Sequence, residues 1–137
     1  MIEAGIVALV NGNAGVATVL NGNPAGFLGS LPKNAALPSW AYLRVSLVNH
    51  TTLLSATGSA KLMLEINCYG AAAADAVNLG KAVNAVMNGL GNTTLSDPDA
   101  TWVSSCFLSD VEDYDLDPDA RNYRRRLEYE ICFALNF

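Results

Sequence analysis

The segment Ala60–Tyr69, with the sequence AKLMLEINCY, is followed by Gly70 and by an alanine-rich run from Ala71 to Leu90. Apolar and more polar residues alternate along the first segment, which is the period of a β-strand with one buried face. Apolar residues in the second segment recur at steps of three and four, which is the period of an amphipathic helix. The sequence therefore predicts a strand that passes directly into a helix.

The rest of the chain contains further segments with one of these two periods. An apolar stripe predicts a short helix over Ile2–Val10, and a β-prone piece, Val16–Leu20, lies between two Asn-Gly turns. Alternation predicts three more strands, at Trp40–Val48, Trp102–Val111 and Tyr123–Phe137. The resulting order of elements is helix, hairpin, helix, hairpin.

This order predicts an α+β fold class, in which an antiparallel sheet of about four strands has two helices packed on one face. The chain has 137 residues, which is the usual size of one domain. No stretch has the composition of a linker between domains. We therefore predict a single domain over residues 1–137.

The composition excludes some classes of partner. Only 15% of the residues are charged and 51% are apolar, whereas about a quarter of a typical soluble protein is charged, so part of the surface is expected to meet other protein. The net charge of −5, with eight basic residues, argues against a protein that binds nucleic acid by neutralising phosphates. No apolar run reaches the roughly 20 residues of a membrane helix, and the acidic N-terminus is unlike a signal peptide. We expect a cytosolic product that does not bind a membrane.

The predicted sheet has one face that the helices leave uncovered. Strict alternation places Trp40 and Tyr42 on that face from one strand, and Met63 and Tyr69 from the next. Aromatic residues and methionine are enriched where proteins meet, so we predict that these four residues contribute to a subunit or partner interface. The alternative is that they simply cover the sheet, because scattered exposed apolar groups are normal.

A second candidate contact lies in the turn-rich tip between the first two predicted strands, residues 49–59, NHTTLLSATGS. Leu53 and Leu54 interrupt its otherwise polar sequence. An exposed leucine gains about 1.5 to 3 kcal/mol when a partner buries it. We predict that this pair contacts a partner or a neighbouring subunit.

Eight of the thirteen acidic residues lie between Asp97 and Asp119. The densest part, Asp110–Asp119, does not fit an EF-hand loop, because alignment puts Pro118 where glycine is needed and Arg124 where a bidentate glutamate is needed. Two interpretations stay open. One is a looser cation site, and the other is a solvated acidic loop whose charge is offset by the arginines that follow it.

The sequence offers no support for catalysis. Cys68, Cys106 and Cys132 are far apart and form no C-x-x-C pair, so we predict reduced structural thiols. The single histidine, His50, belongs to no recognisable nucleophile arrangement and adds no zinc-ligand spacing. We therefore predict no enzyme, no metal and no cofactor.

Four patterns of the chain occur together in one known family. They are the short N-terminal helix, LPSWAYLRVS at Leu37–Ser46, NCYGAAAADA at Asn67–Ala76, and YRRRLEYEICFAL at Tyr123–Leu135. Together they resemble the tail-completion, or tail-terminator, family of long-tailed bacteriophages and prophages. The resemblance implies a structural virion protein that forms a ring, of six copies, on the end of the tail tube. Such a ring stops tube polymerisation and presents a surface to the head-side connector.

The resemblance also implies the partners. They are other copies of this chain, the tail tube protein and the head-side connector or stopper protein, while genomic DNA passes through the ring without specific binding. The protein is then expected in the tail or neck of the virion, and in the host cytoplasm during assembly. A small oligomeric α+β module that binds a ligand or regulates another protein is the alternative function, and assembly state distinguishes the two.

A ring around DNA gives the acidic stretch a role of its own. Carboxylates repel phosphates over about 8 to 10 Å at physiological salt, so we predict that Glu112, Asp113, Asp115 and Asp117 face the channel or its mouth. The alternatives are a contact with the head-side connector and a solvated loop without a partner.

Overall fold

The computed structural model describes residues 2–32, 34–51, 56–117 and 122–134. Within these ranges the chain forms three helices and six strands. The helices are α1 (Ile2–Asn11), α2 (Ala14–Leu20) and α3 (Ala73–Met87). The strands are β1 (Phe27–Leu28), β2 (Ser39–Thr51), β3 (Ala56–Gly70), β4 (Thr93–Thr94), β5 (Trp102–Asp117) and β6 (Asn122–Ala134).

The six strands form one sheet in the order β1-β2-β3-β6-β5-β4. Only β1 and β2 run parallel, and every other neighbouring pair is antiparallel. The four long strands therefore alternate in direction across the sheet. The predicted α+β class is confirmed, whereas the predicted count of about four strands and two helices did not include the short edge strands or α2.

The predicted strand-to-helix junction is confirmed at Gly70. A Cβ atom on Gly70 would lie 2.6 Å from the backbone nitrogen of Ala76 and 2.7 Å from Cβ of Asp75, so only glycine lets the chain turn this closely. The helix that follows buries Leu79, Val83 and Met87 against the sheet. The helix and the strand thus share one core.

The β-prone piece predicted at Val16–Leu20 is instead helix α2. The side chain of Asn13 caps this helix by accepting hydrogen bonds from the backbone nitrogens of Gly15, at 2.9 Å, and Val16, at 3.2 Å. Val16 and Leu20, four residues apart, are both buried in the core. The cap and the burial of one helical face outweigh the β-propensity of these residues.

The predicted faces of β2 are the reverse of the observed ones at its start. Trp40 and Tyr42 pair with Cys68 and Ile66 on the face that the helices cover, and the Trp40 side chain is fully buried. Its Nε1 donates a hydrogen bond to Oδ1 of Asn11 in α1, at 2.9 Å. The prediction that Trp40 and Tyr42 lie on the uncovered face is therefore wrong.

A β-bulge explains why strict alternation fails in β2. The register shifts between Arg44 and Ser46, so Val45 is an extra residue opposite β3. Beyond it, Leu47 pairs with the buried Leu62 on the covered face. A bulge of this kind changes which residues share a face, and alternation assumes that none is present.

Candidate assembly surface

One face of the sheet is left bare by the helices over much of its area, and we call it the open face. It carries the residues in register with Met63 of β3, namely Ser46 of β2, Glu130 of β6 and Phe107 of β5. Phe107 is 60% exposed, and Leu43 and Val48, on the same face, are 44% and 50% exposed. Large apolar groups on one bare face are typical of a surface that meets another protein.

Of the four residues predicted for this face, two lie on it. Met63 is half-buried there, as predicted. Tyr69 is in register with Ser39 and Arg124 on the same face but is only 9% exposed. The end of the face near β1 is itself covered, since Ser39, Ala41 and Asn67 are also buried. Exposure on the open face is thus greatest toward the end of β2.

Charge on the open face is organised around Arg126. Its guanidinium contacts four carboxylates, those of Glu65 at 3.3 Å, Asp110 at 2.8 Å, Glu112 at 3.6 Å and Glu128 at 2.6 Å. These hydrogen bonds and charges raise the pKa of Arg126, with the bond to Glu128 as the largest cause. One cation among four carboxylates leaves this part of the face acidic.

The acidic stretch is a strand rather than the predicted loop, because β5 continues to Asp117. Glu112 is paired with Arg126 on the open face, whereas Asp113 is paired with Arg125 on the covered face. Two hydrogen bonds from Arg125, at 2.7 and 3.0 Å, lower the pKa of Asp113. The predicted offset of acids by neighbouring arginines is confirmed, but the four predicted acids do not form one patch. The side chains of Asp115 and Asp117 lie outside the described part of the chain, as do Leu53 and Leu54.

The outer edge of β2 is open over much of its length. The short strand β1 pairs only with Ala41 and Tyr42, where Gly26 and Gly29 donate to the carbonyls of Trp40 and Tyr42. No described residue pairs with the outer side of β2 from Leu43 to Val48, which we call the β2 edge. Three of its side chains besides Leu43, those of Val45, Leu47 and Val48, are 53%, 38% and 50% exposed.

The opposite outer strand, β5, is protected at its other end. Strand β4 pairs with Trp102 and Val103, and the turn after α3 covers the next residues. Gly89 donates to the carbonyl of Cys106, and Leu108 donates to Oδ1 of Asn88, at 3.1 Å. From Asp110 onward no described residue outside β5 itself bonds to its outer side, and we call residues 110–114 the β5 edge. Val111, in this edge, is 41% exposed.

Other groups give no sign of a chemical site. Cys68, Cys106 and Cys132 are free thiols, as predicted, and burial raises the pKa of Cys106 to about 12. Among the described residues no cluster of histidine, cysteine and acidic side chains has the arrangement of a metal site. No single described helix is long and apolar enough to cross a membrane. Helices α1 and α2 pass such a test only as a pair bent by 75°.

The sequence did not predict that Leu43, Val48 and Phe107 belong to this surface, nor that two strand edges are open. The charged cluster around Arg126 could have been found from the sequence. Arg126 and Glu128 are two residues apart and so share one face of β6, and Glu65 lies on the same face of β3. The open edges could not have been found in this way. They depend on where two-residue strands and a turn dock, which no local pattern records.

A bare sheet face and two open strand edges are the features of a structural protein that acts through contacts with other proteins. Comparison with known families identifies which kind. Residues 4–134 match the family described as Tail completion protein gp17, so the chain belongs to that family and is a tail-associated structural component of a virion.

Comparison with solved structures identifies a shared fold. A chain from the virion of a native gene transfer agent (GTA) particle superposes with a TM-score of 0.71 at 14% sequence identity. The match covers 96% of this chain and 93% of that chain. No curated protein sequence matches the chain.

Proposed function

We propose that the protein forms a ring, most simply of six copies, that ends the tail tube and joins it to the head-side connector. Membership of the tail completion family supports this role, and residues 1–137 would act in it as one domain of the tail-terminator type. The observation that carries the ring is the open, apolar β2 edge, along which the side chains of Leu43, Val45, Leu47 and Val48 are 38% to 53% exposed. In a free monomer the unpaired backbone groups and apolar side chains of this edge would stay in water, whereas a strand of a neighbouring copy would cover them.

A cyclic ring also fits the distribution of these features. The β2 edge is apolar, and the opposite outer strand is acidic, so the two sides of the molecule differ. A ring uses two different surfaces of each copy, whereas a two-fold dimer uses one surface twice. Met63 keeps its proposed interface role, since it is paired with Ser46, a residue of the β2 edge.

Native mass spectrometry tests the ring directly. We expect the purified protein, or the protein released from tail ends, to give a single closed oligomer, with six copies as the expected mass. The tail tube protein alone serves as the control for tail-derived samples. A strict monomer in both samples would refute the ring.

A second contact is proposed for Leu53 and Leu54. We expect the double substitution Leu53→Ser with Leu54→Ser to leave the thermal midpoint within a few degrees and to reduce tail completion, because an apolar pair lost from a contact costs roughly 1.5 to 3 kcal/mol for each side chain. Counting tails of normal length by electron microscopy measures the effect. Thr51→Ser with Thr52→Ser is the matched control in the same tip. Normal tails would remove the pair from the contact, and loss of folding would place it in the core.

The channel is proposed to be acidic. Glu112 retains its predicted place there, because its carboxylate lies on the open face beside Arg126. Asp113 is on the covered face with Arg125, and we no longer include it. Asp115 and Asp117 stay in the proposal through their position at the end of β5.

A further inference from the structure

We propose that copies of this chain join edge to edge, with the β2 edge of one copy pairing antiparallel to the β5 edge of the next. Repeated around the ring, this contact closes the sheets into one barrel whose open face lines the channel. The inference deepens the proposed ring and rests on it. It commits to a second copy of the chain as the partner of each edge.

The two open edges lie at opposite ends of the sheet. In the ladder, Asp113 is level with Trp40 through Arg125 and Cys68, and Ser105 is level with Val48 through Cys132 and Lys61. Strand β1 therefore covers the lower end of β2, and the segment from Asn88 to Thr94 covers the upper end of β5. Two copies placed side by side can pair only if one is displaced along the strand direction.

The strand directions favour this contact. The four long strands alternate in direction from β2 to β5. Copies related by rotation about a ring axis keep the same orientation, so β5 of one copy runs opposite to β2 of the next. The antiparallel alternation therefore continues from copy to copy. In such a pair, hydrogen-bonded and non-hydrogen-bonded residue pairs alternate along the two strands.

Hydrogen-bond geometry restricts the register. The carbonyls of Trp40 and Tyr42 point outward from β2, and that of Cys106 points outward from β5. These three residues lie on the covered face, so on both edges the residues of that face direct their backbone groups outward. The N–H of Val111 donates to Oδ1 of Asp110 at 3.0 Å in the single copy, and pairing with the next copy would replace this local bond. Leu47 and Val111 are the exposed apolar members of this set, at 38% and 41%. Pairing them keeps the open faces of both copies on one side.

The displacement that this register needs agrees with a closed barrel. Leu47 is level with Ile131 of its own copy, and Val111 is level with Leu127, so neighbouring copies shift by the four residues between them on β6, or roughly 14 Å. The four long strands of each copy span roughly 19 Å across the sheet. The resulting tilt of about 35° lies in the range of closed barrels, about 35° to 45°.

Charge disfavours the alternative in which two β5 edges pair with each other. Such a contact would bring Asp110 and Glu112 of one copy close to the same residues of the next, and like charges placed opposite each other destabilise a strand pair. The β2 edge carries no acidic residue. It is therefore the better partner for the β5 edge.

Disulfide trapping tests the register in a Cys132→Ser background, because the other two cysteines are buried. In the proposed register Ser46 faces Glu112 as a non-hydrogen-bonded pair, with Cα atoms about 4.5 Å apart, which suits a disulfide. We expect Ser46→Cys with Glu112→Cys to give a ladder of covalent oligomers up to the full ring on non-reducing gels. The matched control is Ser46→Cys with Phe107→Cys, the pair that would meet if copies were not displaced.

Each outcome decides between contacts. A ladder from the control pair would overturn the displacement, and dimers from Ser46→Cys alone would show that two β2 edges pair. Rings by native mass spectrometry without any ladder from the Ser46 and Glu112 pair would refute the edge contact while the ring itself stands. Monomers under the same conditions, with folding verified by circular dichroism, would refute the ring and the edge contact together.

Discussion

Replacing Trp40 with alanine is expected to lower the free energy of unfolding by about 3 to 5 kcal/mol. The indole is fully buried between the sheet and the helices, and its Nε1 is bonded to Asn11. Its ring centroid lies 6.3 Å from that of Tyr42. Truncation would leave a cavity and would leave the amide oxygen of Asn11 unpaired. The substitution should therefore destabilise the fold of each single copy, whether or not the copies assemble.

Urea denaturation followed by circular dichroism measures this loss. Trp40→Phe keeps most of the packing and removes the hydrogen bond, so it should cost only about 1 to 2 kcal/mol. Met63→Ala is the control for a contact residue. Met63 is half-buried on the open face, so this substitution should affect assembly more than stability. If the alanine variant at position 40 had an unchanged urea midpoint but formed no rings, Trp40 would be a contact residue between copies rather than a core residue.

Periodicity predicted the parts of the fold in which one local pattern dominates. The run from Ala60 to Leu90 contains both a clean alternation and a clean helical stripe, separated by a glycine that the packing requires. The terminal strand, β6, was equally clear because its large apolar residues Leu127, Tyr129, Ile131 and Phe133 all lie on the covered face. In both cases local propensity, burial and chain direction agree.

Strand β2 shows why the faces could not be assigned from the sequence. Apolar residues occupy both of its faces, with Trp40 and Tyr42 on one and Leu43 and Val48 on the other. Hydrophobicity alone therefore cannot say which face is buried, and the bulge at Val45 changes the alternation partway along. Which face of β2 is buried is determined by its contacts with Asn11 and the helices, which are distant in sequence.

The candidate surface was predictable only in part for the same reason. A structural role in a virion followed from the family resemblance, and the low charge indicated contact with other protein. The open edges, however, result from the positions of β1 and the turn after α3 beside strands that lie far away in sequence. Such contacts have no periodic signature in the chain itself. The acids likewise read as a loop because their pairing partners, Arg125 and Arg126, lie across a hairpin.

The open face offers the second large effect. If it lines the channel, Glu130→Lys should slow DNA ejection at least roughly tenfold at low salt, because each copy of the ring would place a cation where an acid stood and cations bind phosphates strongly. Glu130 is half exposed on this face and contacts only Lys61 among described cations, at 3.4 Å. An exposed ion pair of this kind contributes about 1 kcal/mol or less, so the substitution should leave the fold intact.

The matched control is Asp75→Lys, which makes the same change of charge on the exposed side of α3. It should assemble and eject DNA at the normal rate, since the helices lie outside the proposed barrel. Ejection from purified particles is measured by the fluorescence of a dye that binds the released DNA, over a series of salt concentrations. Binding that depends on counterion release weakens steeply as salt rises, so the delay from Glu130→Lys should disappear at high salt. Equal delays for both variants, or a delay that salt does not relieve, would place the open face away from the DNA.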